Sequence, residues 1–358
     1  MAITLDLVPF QLQKRFALTI SRGTTAHSEN LWIRLRSSLN PEVEGWGEAT
    51  SFSTGGITQS LESIQATLKD LQPQLQDYSP WDRQQILNLL QATGVPSAAQ
   101  AAVDMALHDW IGRTLGVPLW QLWGLSQTPQ APLSLTVGIS NPQAAQQRLQ
   151  AWLDVADTGF IKVKLGSPQG IEADQAMFTA LTQIAPIGTR FLVDANGGWS
   201  LATALTMVNW LNDRGVIYVE QPLPVGQEPD LPTLKRHSPL PLFADESCWT
   251  SQDIPALAPG VDGINIKLMK CGGLTEALAM IHTARAWGLQ VMLGCYSEST
   301  LSNTAAAQLG SLVDYLDLDS HLNLRHDPFV GARLLDRTLI PPAAPGLGVS
   351  QGLVSSDG

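Results

Sequence analysis

Eight short apolar runs ending in polar residues recur along the second part of the chain. They are LSLTVGI (133–139), FIKVKLG (160–166), RFLVDAN (190–196), GVIYVEQP (215–222), PLFADES (241–247), GINIKLM (263–269), QVMLGCY (290–296) and DYLDLDS (314–320). Successive starts lie 22–30 residues apart, with helical patterns such as NPQAAQQRLQAWLDVAD (141–157) and TEALAMIHTARAWG (275–288) between them. Repeated strand and helix, eight strands deep, predicts an α/β fold built on a closed parallel (β/α) barrel. An open doubly wound sheet needs no eighth strand and usually begins with a glycine-rich phosphate turn. The GxG of GWGEAT (Gly45 and Gly47) lacks the third glycine and the following helix, so a dinucleotide site is not expected.

The first part reads differently. LWIRLRS (31–37) and EVEGWGEAT (42–50) predict antiparallel strands, and MAITLDLVPFQLQKRFALTI alternates like another. Helical spacing of Leu61, Ile64, Leu68 and Leu71 predicts a helix from Ser60 to about Leu90. AAQAAVDMALHDWIGRTLG (98–116) predicts a buried helix ended by Gly116 and Pro118. With 44% hydrophobic and 15% charged residues, the 358-residue chain can bury a large interior. A net charge of −11 without a Lys/Arg block argues against nucleic acid or an anionic membrane as partner. Three cysteines without a CxxC pair suit a reducing compartment. The N-terminal stretch lacks a basic leader with a long apolar core, and no run reaches membrane-spanning length. A soluble cytoplasmic protein is expected.

In a parallel barrel, functional groups gather at the C-terminal ends of the strands. Here those ends carry Lys162 and Lys164, then Asp194, Glu220, Asp245 (followed by Glu246) and Lys267, one strand–helix unit apart. Any one of the acids by itself could cap a helix. Three on adjacent strands at one height repel one another unless a cation joins them, and such oxygen ligands suit Mg²⁺. Lys162 and Lys164 share a face because strand side chains alternate. A lone strand-edge lysine commonly snorkels, but lysines flanking this cluster are compensated locally. Burial and mutual repulsion are expected to lower their proton affinity to that of a general base. Lys164 and Lys267 would face opposite sides of a substrate α-carbon whose carboxylate sits on the metal. One removes the proton and the other returns it, through a metal-stabilised enediolate.

At these residues the chain resembles the enolase superfamily, in its muconate-lactonizing subgroup. The motifs are GWGEA, KVKLG, VDANGGW, VEQPL, ADES, NIKLMKCGG, GCYSES and the late PGLGV, spread over nearly the whole length. Lysine bases and Mg²⁺ are known traits of that superfamily and come with the resemblance. It implies a (β/α)7β TIM-like barrel over 126–324, an α+β capping domain over 1–125, and a C-terminal segment over 325–358 that returns to the cap. It also implies Asp194, Glu220 and Asp245 as ligands of one Mg²⁺, Lys164 and Lys267 as acid and base, and Lys162 assisting the bound carboxylate. Homo-oligomers are the rule among relatives.

YLDLDS narrows the reading. Asp317 and Asp319, two apart, face inward and suit a peptide ammonium, an acidic pair that looks like the signature of dipeptide epimerases. A solvated strand end is the plain alternative. Arg22, in TISRGTTAHSEN, falls where such epimerases carry a closing loop. Paired with a glutamate side chain, it would favour an L-Ala-D/L-Glu type of dipeptide, whereas Phe52 in SFSTGG would line a hydrophobic specificity pocket. Thr136, Cys295 and Glu298 are expected to line the substrate pocket. The expected activity is Mg²⁺-dependent epimerisation of the C-terminal residue of an L-Ala-Xaa dipeptide. A muconate cycloisomerase or o-succinylbenzoate synthase, and a catalytically silent metal-binding scaffold, are the alternatives.

Overall fold

The N-terminal alternation forms β1 (Ile3–Ile20), antiparallel to β2 (Gly23–Ser37), which pairs with β3 (Glu44–Thr50). The computed structural model that shows this describes residues 3–352. A short hairpin of β4 (Phe52–Thr54) and β5 (Ile57–Gln59) follows. The expected helix over 60–90 is two helices, α1 (Leu61–Leu75) and α2 (Arg83–Ala92). Between them Ser79 and Asp82 cap reciprocally around Pro80, which starts a new helical turn and ends the continuity. Ile64, Leu68, Leu71 and Leu75 form the buried stripe of α1.

The Ala-rich helix α3 (Ser97–Leu115) ends at Gly116, whose φ of 72° closes it in a left-handed cap. It lies tight against β3. A Cβ on Gly45 would meet the Ala106 carbonyl oxygen at 2.0 Å, and one on Gly47 the Ala102 oxygen at 1.9 Å. The two glycines of GWGEAT thus serve backbone approach between sheet and helix, not phosphate binding.

After the short α4 (Leu119–Leu122), all eight expected barrel strands are present. They are β6 (Leu135–Val137), β7 (Phe160–Lys164), β8 (Arg190–Asp194), β9 (Val219–Glu220), β10 (Leu242–Ala244), β11 (Gly263–Lys267), β12 (Gln290–Gly294) and β13 (Tyr315–Asp317). Helices on the crossovers are α5 (Pro142–Leu153), α6 (Ile171–Ile184), α7 (Leu201–Asn212), α8 (Leu231–His237), α9 (Ile254–Leu257), α10 (Leu268–Cys271) with α11 (Leu274–Ala286), and α12 (Thr300–Ala307). The strands hydrogen-bond in sequence order, and a parallel bridge from Leu133 to Leu316 closes the ring between the start of β6 and β13. Inside, Leu192, Tyr218, Phe243 and Met292 pack as a separate apolar layer. Past the barrel, β14 (Phe329–Val330) pairs with β17 (Ser350–Gln351), and β15 (Arg333–Leu335) with β16 (Thr338–Ile340).

Candidate active site

Strand register sets the site. Lys164 pairs with Asp194, and Asp194 with Glu220, so three ionisable groups stand level at the ends of β7, β8 and β9. Asp245 follows β10, its backbone N–H donating to the Gln221 side-chain amide oxygen Oε1 at 2.9 Å. Asn196 and Gln221, just beyond the acids, hold positive φ of 44° and 35°, strained backbone of the kind that clusters at functional sites. Asp194, Glu220 and Asp245 bring one carboxylate oxygen each within 4.8 Å of one another, and none is more than 1% exposed.

These residues fit a hard divalent cation. The donor set is entirely carboxylate oxygen, as Mg²⁺ prefers. Burial, together with the charges of Asp194 and Asp245, pushes the Glu220 carboxyl up to about 8, and a divalent cation among the three would offset that repulsion. Glu220 Oε2 lies 2.6 Å from Lys162 Nζ without hydrogen-bond alignment, so one ligand oxygen is unsatisfied.

Lys164 Nζ donates to Asp194 Oδ2 at 2.5 Å, and Lys267 Nζ to Asp245 Oδ2 at 2.7 Å. β7 and β11 lie four strands apart in an eight-strand ring, so the two amines approach from opposite walls. Lys162 is fully buried between Asp317 Oδ2 at 2.5 Å and Glu220. The expected lowering of lysine proton affinity does not hold for two of them. Burial depresses Lys162 and Lys267, but the carboxylates in contact outweigh it and hold both well above the usual lysine range.

A cavity of about 440 Å³ opens above these groups, between barrel mouth and N-terminal strands. Lys164, Lys267, Thr136, Asp317, Asp319, Cys295, Phe52 and Arg22 all border it. Asp317 has one oxygen taken by Lys162 and the other by Ser134 Oγ at 3.0 Å. Asp319 accepts from the Thr136 N–H at 2.7 Å, while burial and neighbouring Asp317 push its carboxyl up to about 6. Cys295 donates its thiol to the Asp317 carbonyl at 3.2 Å. Phe52 stacks on Tyr296 at 4.4 Å between centroids, and Tyr296 presents its ring to Lys267 Nζ at 4.8 Å.

Two expected pocket residues have their polar groups paired within the protein, Arg22 at the border of the cavity and Glu298 away from it. The Arg22 guanidinium pairs with Glu246 at 2.8 Å and donates to the Asn196 carbonyl at 2.9 Å, tying the β1–β2 turn to the barrel. Glu298 does not border the cavity. It is buried, accepting from the Tyr296 N–H at 2.8 Å and from Ser302 Oγ at 2.5 Å, because it caps the turn into α12.

Other buried residues escaped the sequence reading. Lys270 donates to Asp245 Oδ1 at 2.6 Å and to the carbonyls of Cys248 and Asn265 at 3.0 and 3.2 Å. Asn265 donates to Glu220 Oε1 at 2.8 Å, in space left by Gly294, where a Cβ would meet Asn265 Oδ1 at 2.5 Å. Asn196 donates to both Asp194 and Glu246 at 3.2 Å. The second lysine in NIKLMKCGG and the asparagines in VDAN and GINIK stand out in the sequence as polar residues in apolar runs. Glu48 lies farther off, bonded to Asn30 and to Ser299 and Ser302 at the start of α12.

Residues 144–351 match the family described as Enolase C-terminal domain-like, and residues 2–124 match the mandelate racemase / muconate lactonizing enzyme N-terminal domain. A hydrophobic dipeptide epimerase from a Flavobacteria bacterium is 43% identical over 341 residues, 94% of this chain and 95% of that protein. One from Roseobacter litoralis is 45% identical over 338 residues, 94% of this chain and 96% of that protein. Among solved structures, a dipeptide epimerase from Cytophaga hutchinsonii, in complex with Mg and the dipeptide D-Ala-L-Val, superposes with a TM-score of 0.92. It is 27% identical, with 99% of this chain and 97% of that chain covered.

Proposed function

The chain belongs to the mandelate racemase / muconate lactonizing enzyme family of the enolase superfamily, and from that premise we propose that it is a Mg²⁺-dependent dipeptide epimerase that inverts the C-terminal residue of dipeptides with a hydrophobic second position. What supports this reading most is that two lysines reach one cavity from opposite walls around three converging carboxylates.

Asp194, Glu220 and Asp245 would hold the ion, which supplies positive charge to a substrate carboxylate while its α-proton is absent. The proton leaves the α-carbon to the Nζ of one lysine in its neutral amine form, and the other lysine, an ammonium, gives its own proton to the opposite face. Lys164 and Lys267 exchange these parts when the other epimer is substrate. Lys162, locked between Asp317 and Glu220, is a fixed charge below the reacting groups. Asp319 supplies a carboxylate for the peptide ammonium. The preference for L-Ala-D/L-Glu rested on Arg22 meeting a substrate carboxylate. With Arg22 paired to Glu246, the wall formed by Leu18, Ile20, Phe52 and Tyr296 favours an apolar side chain.

L-Ala-L-Leu incubated with the protein and Mg²⁺ in D₂O should gain deuterium at the leucine α-carbon and yield L-Ala-D-Leu. Lys164→Ala and Lys267→Ala should each lower epimerisation by at least about 10²-fold. No exchange into any dipeptide with an apolar second residue would overturn the proposal.

A further inference from the structure

The cavity contains a cation that the reaction does not use. Lys14 lines it with its side chain buried (8% exposed), yet its Nζ makes no hydrogen bond or direct ion pair with any described residue. It arrives there by a break in pairing. β1 and β2 are in register up to Gln13 and again from Leu18, and between these points β1 leaves its partner. The freed stretch pairs instead with the segment after the last barrel strand. Lys14 bridges to Leu324, the Arg325 N–H donates to the Gln13 carbonyl at 2.9 Å, and Asn323 bonds Phe16 through both its side-chain atoms at 2.9 Å. A segment that begins right after Asp319 thus carries Lys14 toward that carboxylate.

The electrostatics agree with this placement. Burial lowers the Lys14 proton affinity, Cys295 and Asp319 act the other way, and Lys164 reinforces the lowering. These are the conditions of an amine without an anion in contact, and such an amine gains by pairing with one.

We propose that Lys14 selects the first residue of the dipeptide, pairing with a carboxylate side chain on that residue while Asp319 holds its α-ammonium, so that the preferred substrates begin with glutamate or aspartate. The inference rests on the epimerase reading. With the ammonium at Asp319, the side chain on the same carbon has Lys14, Ser320, Asn323 and Cys295 within its surroundings, and Lys14 is the cation among them. A dicarboxylic acyl group without an ammonium shares the carboxylate but forfeits Asp319.

The test compares L-Glu-L-Leu, L-Ala-L-Leu, L-Lys-L-Leu and N-succinyl-L-leucine, with Mg²⁺ in D₂O, by kcat/KM for α-deuteration. Wild type should prefer L-Glu-L-Leu over the other three. Lys14→Met should lower the Glu-to-Ala ratio by about tenfold or more, as loss of a charged hydrogen-bond partner does, and Lys14→Arg should keep it above one. Lys14→Glu should turn the preference toward L-Lys-L-Leu. Wild type favouring L-Ala-L-Leu or L-Lys-L-Leu, or a Glu-to-Ala ratio within twofold of wild type in Lys14→Met, overturns the inference while leaving the epimerase reading intact. N-succinyl-L-leucine as the best substrate overturns the role given to the first-residue side chain. Failure of all four to exchange overturns both readings.

Discussion

Replacing Glu48 with glutamine tests which of two opposed effects governs a buried acid that joins the N-terminal sheet to the barrel. Glu48 is 0% exposed and accepts from Asn30 Nδ2 at 2.6 Å, from the Ser299 N–H at 3.0 Å, from Ser299 Oγ at 2.5 Å and from the Ser302 N–H at 3.1 Å. Burial raises its pKa and the Ser299 and Asn30 hydrogen bonds lower it, with burial prevailing and the carboxyl standing at about 7 against an ordinary 4.5. A carboxyl raised in the folded state contributes stability fully present below 4.5 and lost as pH rises through about 7. The amount at stake is about 3 kcal/mol. Glutamine keeps one acceptor oxygen but leaves an N–H at the start of α12 without a partner, a cost of about 1–3 kcal/mol. In urea melts, Glu48→Gln should therefore be less stable than wild type by that amount near pH 5. At about pH 8.5, where wild type bears the cost of ionising, the difference should vanish or change sign. A destabilisation that grows as pH rises would show that the four donors hold the acid ionised and that the reasoning is wrong.

Chelation by EDTA should abolish deuterium exchange while the fold persists, and added Mg²⁺ should restore exchange and raise stability by about 2.7 kcal/mol at one hundred times its Kd, read as a thermal shift. Arg22→Met should raise KM several-fold for every dipeptide with little change in kcat, since the guanidinium holds the turn closed over the cavity. A loss confined to L-Ala-L-Glu would instead place Arg22 on substrate. Gly47→Ala should cost about 3 kcal/mol in a urea melt, because the new methyl would lie 1.9 Å from the Ala102 oxygen. A neutral result would mean that β3 and α3 separate freely.

The barrel was legible because each of its strands is an apolar run that ends at the functional face. Lys164, Asp194 and Glu220 could be aligned by counting strand–helix units, and the register placed them level. The break between α1 and α2 was missed although Ser79, Pro80 and Asp82 spell a capping signal, because the apolar spacing on either side reads as continuous. The hydrogen-bond partners of Glu298 and Arg22 follow from tertiary packing, which the loop sequence does not reveal. The same holds for lysine proton affinity: the strand pattern brings lysines near carboxylates, but the contacts at 2.5–2.7 Å that raise Lys162 and Lys267 are set by packing. Lys14 had no distinguishing mark in an alternating strand, since its position depends on a pairing break that the pattern does not reveal.

The departure of β1 from β2 also bears on the order in which the molecule assembles. Phe16 meets Asn323 across 307 residues, and Arg15 meets the Leu324 carbonyl across 309. Because β1 precedes the barrel in the chain, it finds these partners only after the last barrel strand has been synthesised, and chain closure over such separations slows folding. A nascent or truncated chain ending before Asn323 would lack this seam, so the pocket wall at Lys14 would be among the last parts of the protein to form.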